Sequence, residues 1–122
     1  MSRVWIALGA IFGLISVAMA AYASHGLPAD RAGLAMTGAS LGAWHALALI
    51  GAGLLAERRR GWMVHAAASL FAVGTVAFCS GVYLRALTDY SIGMVTPIGG
   101  TLLMVAWGVF GVAALLSPTR QG

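Results

Sequence analysis

Acidic side chains are nearly missing from this chain: Asp30, Glu57 and Asp89 are the only three in 122 residues. Lysine is absent altogether, so the positive charge rests on seven arginines. Charged residues make up 8% of the chain, against roughly 25% in an average soluble domain. A soluble fold this small needs polar side chains to cover its core, and too few are present. A single cysteine, Cys79, excludes an intramolecular disulfide framework. Paired carboxylates, a glycine-rich phosphate loop and a Ser–His–Asp set are missing too, which leaves no recognisable catalytic constellation. No acidic residue stands inside an apolar run, so the carboxylate carriers common in ion-coupled transporters have no counterpart. The net charge of +4 makes no nucleic-acid face, because the arginines stand singly or as one triplet between apolar runs.

What is present in quantity is hydrocarbon: 61% of the residues are hydrophobic. They gather in four runs, Val4–Ala23, Ala35–Ala56, Trp62–Leu84 and about Met94–Leu116, none of which holds a formal charge. Each is long enough, at 1.5 Å per residue, to cross a hydrocarbon layer of about 30 Å. Backbone groups in lipid must be paired within the segment, and the alternation of a barrel strand is absent. The reading is an all-α integral membrane four-helix bundle, a single domain over residues 1–122, with the lipid bilayer as its solvent. Pro28 reads as the opening of the second helix, with Asp30 in its first turn facing the positive end of the helix dipole. Thr96-Pro97 reads as N-cap and first residue of the fourth. Arg85 and Asp89, four apart, are an expected pair if the third helix extends that far.

Arginine counting sets the orientation. The first end, the second loop and the last end together collect Arg3, Arg58, Arg59, Arg60 and Arg120, while the other side has Arg31 and Arg85. The Arg58–Arg60 triplet is the main topology signal, and five against two favours N-in and C-in. Met1–Ala23 also has the layout of a secretory signal peptide. Its apolar stretch is longer than the usual h-region, so the expectation is that it is kept as a helix.

Seventeen glycines point to close helix packing, since small residues let backbones approach where lipid supplies no drive for association. Gly9 and Gly13 share a face of the first helix with Ser16 and Ala20, and Gly38 and Gly42 share one of the second with His45. The fourth helix carries Gly100, Met104, Gly108 and Gly111 in register. These faces serve either the bundle itself or a homo-oligomer.

His45 is the most informative polar residue, because an ionisable side chain near mid-membrane is a functional position by default. The structural alternative is a neutral imidazole bonding a neighbouring helix. A second constellation gathers at the outer end: Tyr22 and His25 (with Ser24) from the first helix, Cys79, Ser80 and Tyr83 from the third, and Thr96 from the fourth. Ordinary interfacial anchoring explains such residues equally well. His25 and His65 sit a membrane apart. No metal-ligand spacing exists among His25, Cys79 and Met94, so neither a metal nor another cofactor is expected.

The segments Tyr22-Ala23-Ser24-His25-Gly26-Leu27, His45-Ala46-Leu47-Ala48-Leu49, Ser80-Gly81-Val82-Tyr83-Leu84 and Val95-Thr96-Pro97-Ile98-Gly99-Gly100 occur in order along the chain. Together they resemble the YgdD-like family, small bacterial inner-membrane proteins forming a domain of unknown function. The family pattern has Phe-Gly-Ala-His where this chain has Tyr22-Ala23-Ser24-His25, and an aromatic-Gln run where it has Gly42-Ala43-Trp44. The resemblance implies a multi-pass protein of the bacterial inner membrane with the first helix retained, and no established activity. The leading functional expectation is a non-enzymatic accessory or oligomerising membrane protein, as a homo-oligomer or within a larger membrane complex. The alternatives are a small-solute pathway through His45 and the outer polar cluster, and a metal or redox protein.

Overall fold

The chain is built from four helices: α1 (Ser2–His25), α2 (Ala29–Arg58), α3 (Trp62–Leu87) and α4 (Val95–Leu116). These are taken from a computed structural model that describes residues 1–121. Each is long and apolar enough to cross a membrane. Three connections join them, so the first and last helix ends and the turn after α2 lie at one end of the bundle. The turns after α1 and α3 lie at the other.

The helices extend past the apolar runs. The second starts six residues before Ala35, with Pro28 as its N-cap rather than its first helical residue. Asp30 stands in its first turn, where it complements the dipole. Helix α4 corrects the expected cap. Met94 is the N-cap, and Thr96 and Pro97 are the second and third helical residues. Proline is tolerated there because first-turn N–H groups have no carbonyl to bond. Thr96 is thereby freed from capping, and its side chain lies against Gly81 of α3.

The expected Arg85–Asp89 pair does not form. Helix α3 ends at Leu87, Thr88 is extended, and Asp89 pairs instead with Arg31 of α2. The two hairpins are thus tied at this end of the bundle through an exposed ion pair, worth about 0–1 kcal/mol. At the opposite end Gly61 opens α3 at φ 121°, a conformation suited to a residue without Cβ. The chain after α4 folds back onto this turn. Arg60 N–H donates to Pro118 O at 2.8 Å and Arg120 N–H to Arg58 O at 2.8 Å. The Arg59 guanidinium donates to Ser117 O at 2.9 Å.

Helices α2 and α3 form the inner pair; α1 packs along α2, α4 along α3, and α1 meets α3 only briefly. The interior inverts that of a soluble protein. Alanines line it, including Ala35, Ala52, Ala67, Ala68, Ala86 and Ala106, all fully buried. Phe71, Leu49 and Val64 are its largest fully enclosed side chains, while Leu14, Leu47, Met104 and Leu115 point outward. Small residues inside let the backbones come close, and large ones outside meet lipid tails.

The glycines show where contact is tightest. A methyl group on Gly9 would stand 2.7 Å from Ala46 O of α2. On Gly99 it would strike the Phe78 backbone of α3. Gly13 lies more loosely against Ala46, Gly38 faces Tyr83 and Val82, and Gly42 faces Ser16, Cys79 and Tyr83. The fourth helix departs from the expected face. Gly99, Leu103, Ala106 and Ala113 turn inward, whereas Gly100 makes only ordinary contact with Phe78 and nothing lies near Gly108 or Gly111. The inward face is rotated by one residue, about 100°, from the one predicted.

Gly9→Val is therefore expected to destabilise the bundle by about 1–3 kcal/mol through overpacking, read as a shift of reversible unfolding in detergent. Gly51→Ala, which adds a methyl in open space, is the control and should leave the transition in place.

Candidate functional site

The polar side chains inside the bundle divide into groups that are satisfied and groups that are not. His45 is 6% exposed and belongs to the first kind. Trp107 Nε1–H of α4 donates to its Nε2 at 3.2 Å. Its Nδ1 lies 2.6 Å from Leu41 O one turn back in α2. Because Nε2 accepts, the geometry assigns the ring proton to Nδ1, which donates to that carbonyl. Both nitrogens of a neutral imidazole are then used.

An aromatic group encloses the ring. Phe71 lies 6.0 Å from it, and Phe71 meets Trp107 edge-on at 5.0 Å and Phe110 at 5.8 Å. The result is a packed junction of α2, α3 and α4. A second pair of the same chemistry spans α1 and α3: Trp5 Nε1–H donates to His65 Nδ1 at 3.0 Å. This pair was not foreseen from the sequence. Its signal was available, since Trp5 and His65 are each the fourth residue of helices that run in the same direction.

The unsatisfied groups lie elsewhere. Thr75 is 4% exposed, and its hydroxyl has no hydrogen-bond partner; nor has that of Tyr83. Other helical hydroxyls find one locally. Ser24, Thr37, Ser69 and Thr101 each donate to the carbonyl four residues earlier. Thr75 does not, although α3 offers the same carbonyl.

Around these two hydroxyls is a crevice of about 190 Å³ between α1 and α3, lined by Ser16, Thr75, Cys79, Tyr83 and the apolar Phe12, Ile15 and Val76. Gly42 of α2 forms its back wall. A methyl group there would meet Ser16 Oγ at 2.6 Å, Cys79 Sγ at 3.3 Å and the Tyr83 hydroxyl oxygen at 3.5 Å, so the three converge on one point. The Cys79 thiol also donates to Gly38 O at 3.5 Å.

The expected outer cluster is therefore brought together only in part. Cys79 and Tyr83 meet, and Ser80 stands at the crevice edge with its hydroxyl on Ala77 O at 3.3 Å. Tyr22, Ser24 and His25 are exposed at the end of α1, and Thr96 lies at the α3–α4 contact instead. Ser16 and Thr75 complete the set. Sequence reading had Ser16 on the packing face of α1 but passed over Thr75, whose signal was its spacing of four from Cys79. His45 does not line the crevice. Nor does it share a site with His25, because α2 begins early: from Ala29 to His45 is about 24 Å of helix. Among the described residues no three His, Cys, Asp or Glu side chains gather as a metal site.

Comparisons with known proteins agree on one family. A family model described as "Protein of unknown function (DUF423)" matches residues 19–100. The UPF0382 membrane protein YwdK of Bacillus subtilis (strain 168) is 34% identical over 119 residues, covering 93% of this chain and 97% of its own. The UPF0382 inner membrane protein YgdD of Escherichia coli (strain K12) is 32% identical, covering 93% and 91%. A UPF0382 membrane protein of Staphylococcus epidermidis is 32% identical, covering 93% and 96%. No solved structure matches.

The histidine geometry makes a direct prediction. In a double-mutant cycle of His45→Phe and Trp107→Phe, the coupling energy should fall near 0.6–1.7 kcal/mol, the range of about this size found for hydrogen bonds between membrane helices. Each single change should destabilise the bundle, since His45→Phe strands the Trp107 N–H and Trp107→Phe strands the His45 Nε2 acceptor. Unfolding in mixed detergent micelles measures both, and a coupling of zero would mean the pair does not hold α4 to α2.

Proposed function

The chain belongs to the DUF423 family of proteins of unknown function, whose relatives are named as membrane proteins, and we propose that it is a non-enzymatic accessory protein of the inner membrane. It is inserted with both termini in the cytoplasm and acts by association within the bilayer. The observation that carries the association is the outward face of α4. Its inward face is complete with Gly99, Leu103, Ala106 and Ala113, and open space lies over Gly108 and Gly111. With Trp107 half-exposed beside them, these glycines suit the close approach of a helix from a second copy of the chain.

The histidines support a structural role over a chemical one. His45 spends both ring nitrogens on Trp107 and Leu41, and His65 accepts from Trp5. His45 therefore has no ring nitrogen left to relay a proton through the bundle. The orientation is supported by the arginines. Arg58, Arg59, Arg60 and Arg120 are drawn together by the fold-back of the last residues, and Arg3 stands at the same end. Arg31 and Arg85 are at the other. The positive-inside rule assigns the richer end to the cytoplasm.

Native mass spectrometry from nanodiscs is expected to find an oligomer, reduced to monomer by Gly108→Leu with Gly111→Leu while the melting of the bundle stays unchanged. A wild-type chain that is monomeric at every lipid-to-protein ratio would overturn the association. Labelling of a cysteine placed at Gln121 should require a membrane-permeant reagent in intact cells, and reaction with an impermeant one would reverse the orientation.

A further inference from the structure

We propose that the crevice between α1 and α3 binds a small uncharged lipophile carrying a carbonyl oxygen, taken up sideways from the bilayer. Four observations converge on this chemistry. The first is the two hydroxyls. Thr75 Oγ1 and the Tyr83 hydroxyl are enclosed and without partners, and each retains a proton to donate. A ligand that satisfies either must accept a hydrogen bond, which a carbonyl oxygen does.

The second is size. About 190 Å³ is a little more than an engineered cavity of about 150 Å³ that takes up benzene, so a molecule built on one ring fits. The third is the lining itself: Phe12, Ile15 and Val76 supply an apolar wall and no lining residue is charged. A charged group would enter without a counter-ion at high cost, which selects a neutral molecule.

The fourth is depth and access. Ile15 and Val76 at the rim are about half exposed on faces that meet lipid, because α1 and α3 touch only briefly. Thr75 lies about 18 Å along α3 from Leu87, at 1.5 Å per residue. That is well below the headgroup level, which favours a compact molecule dissolved in the hydrocarbon over the ester carbonyls of the surrounding lipid. Gly42 keeps the back of the site open, since a methyl there would fall among Ser16, Cys79 and Tyr83. The site is independent of the oligomer contact on α4.

A matched pair of probes tests this on the full chain in nanodiscs. 4-Fluoroacetophenone and 1-ethyl-4-fluorobenzene have similar shape and differ by the carbonyl oxygen, and ¹⁹F NMR follows both against empty nanodiscs. The expected result is a saturable bound signal for the ketone, with the hydrocarbon about tenfold weaker, the scale of one hydrogen bond near the upper end of the usual range. Thr75→Val and Tyr83→Phe should each weaken the ketone by several-fold and leave the hydrocarbon unchanged. Thr75→Val removes a hydroxyl that bonds to nothing in the protein, so its melting should match or exceed that of the wild type, which separates lost binding from lost folding. Absence of a saturable ketone signal would overturn the proposal and leave the hydroxyls to water. Equal binding of the two probes, or indifference of the ketone to both substitutions, would overturn it as well.

Discussion

An indole N–H or an imidazole nitrogen placed between helices in hydrocarbon must be met by another protein group, because water is not at hand to meet it. The bundle depends on this requirement at its two weakest seams. Helices α1 and α2 lie together along their length, as do α2 and α3 and α3 and α4. The seams α1–α3 and α2–α4 have no such backbone contact. Each is closed instead by one tryptophan donating to one histidine, Trp5 to His65 and Trp107 to His45. The two bonds give the sheet-like row of four helices a defined cross-section. They also explain why His45 is inside at all: its imidazole accepts at one nitrogen and donates from the other.

Packing alone would not choose this arrangement. Lipid tails are as apolar as leucine, so burying a leucine between helices gains little, and the helices associate through closeness. That is why alanine fills the interior and why Gly9 and Gly99 stand where a neighbouring backbone comes within reach. Closeness is achieved pairwise, hairpin by hairpin. Once α1 lies tight on α2 and α4 tight on α3, the distances across the other seams are fixed, and only a long side chain can span them. Tryptophan, with its donor at the far edge of a large ring, is suited to that span.

Much of this was legible in the sequence. Four uncharged runs of membrane length specify four helices, because only helices and closed barrels satisfy their own backbone in lipid and the alternation of a barrel strand is absent. His45 was marked as well, either as a functional position or as a neutral imidazole bonding a neighbouring helix, and its bond to Trp107 is the second of these. What escaped was rotation. The glycines of α4 fall on a good helical stripe at 100, 104, 108 and 111, yet the inward stripe starts at Gly99. A stripe is a statement about one helix, and which stripe faces inward is decided by the neighbour. The Phe71–Trp107–Phe110 group decides it here, since turning Gly108 inward would take Trp107 from His45. Helix ends were read in part: Pro28 was marked at the opening of α2, while the cap of α4 falls on Met94 rather than on Thr96. The crevice was half visible: Cys79 and Tyr83 were marked at the right depth, but Thr75 looks like any helical threonine until its idle hydroxyl is seen.

That hydroxyl sets the two seams apart. The α2–α4 seam is filled by His45, Phe71, Trp107 and Phe110, and each polar atom of the pair is used. The α1–α3 seam has its tryptophan pair only where the two helices begin, and further along the space is bordered by Ser16, Thr75, Cys79 and Tyr83 with glycine behind. Leaving a buried polar group unmet costs about 1–3 kcal/mol, as much as or more than a hydrogen bond between membrane helices contributes. A threonine in a helix has a remedy within its own turn, the carbonyl four residues back, which Thr37 and Thr101 both take. Valine in its place would remove the cost outright. A bundle selected for cohesion alone would have closed this seam as it closed the other. Polar capacity held back in a lateral crevice, where the lining is otherwise apolar, is what a receptor for a lipid-soluble molecule requires.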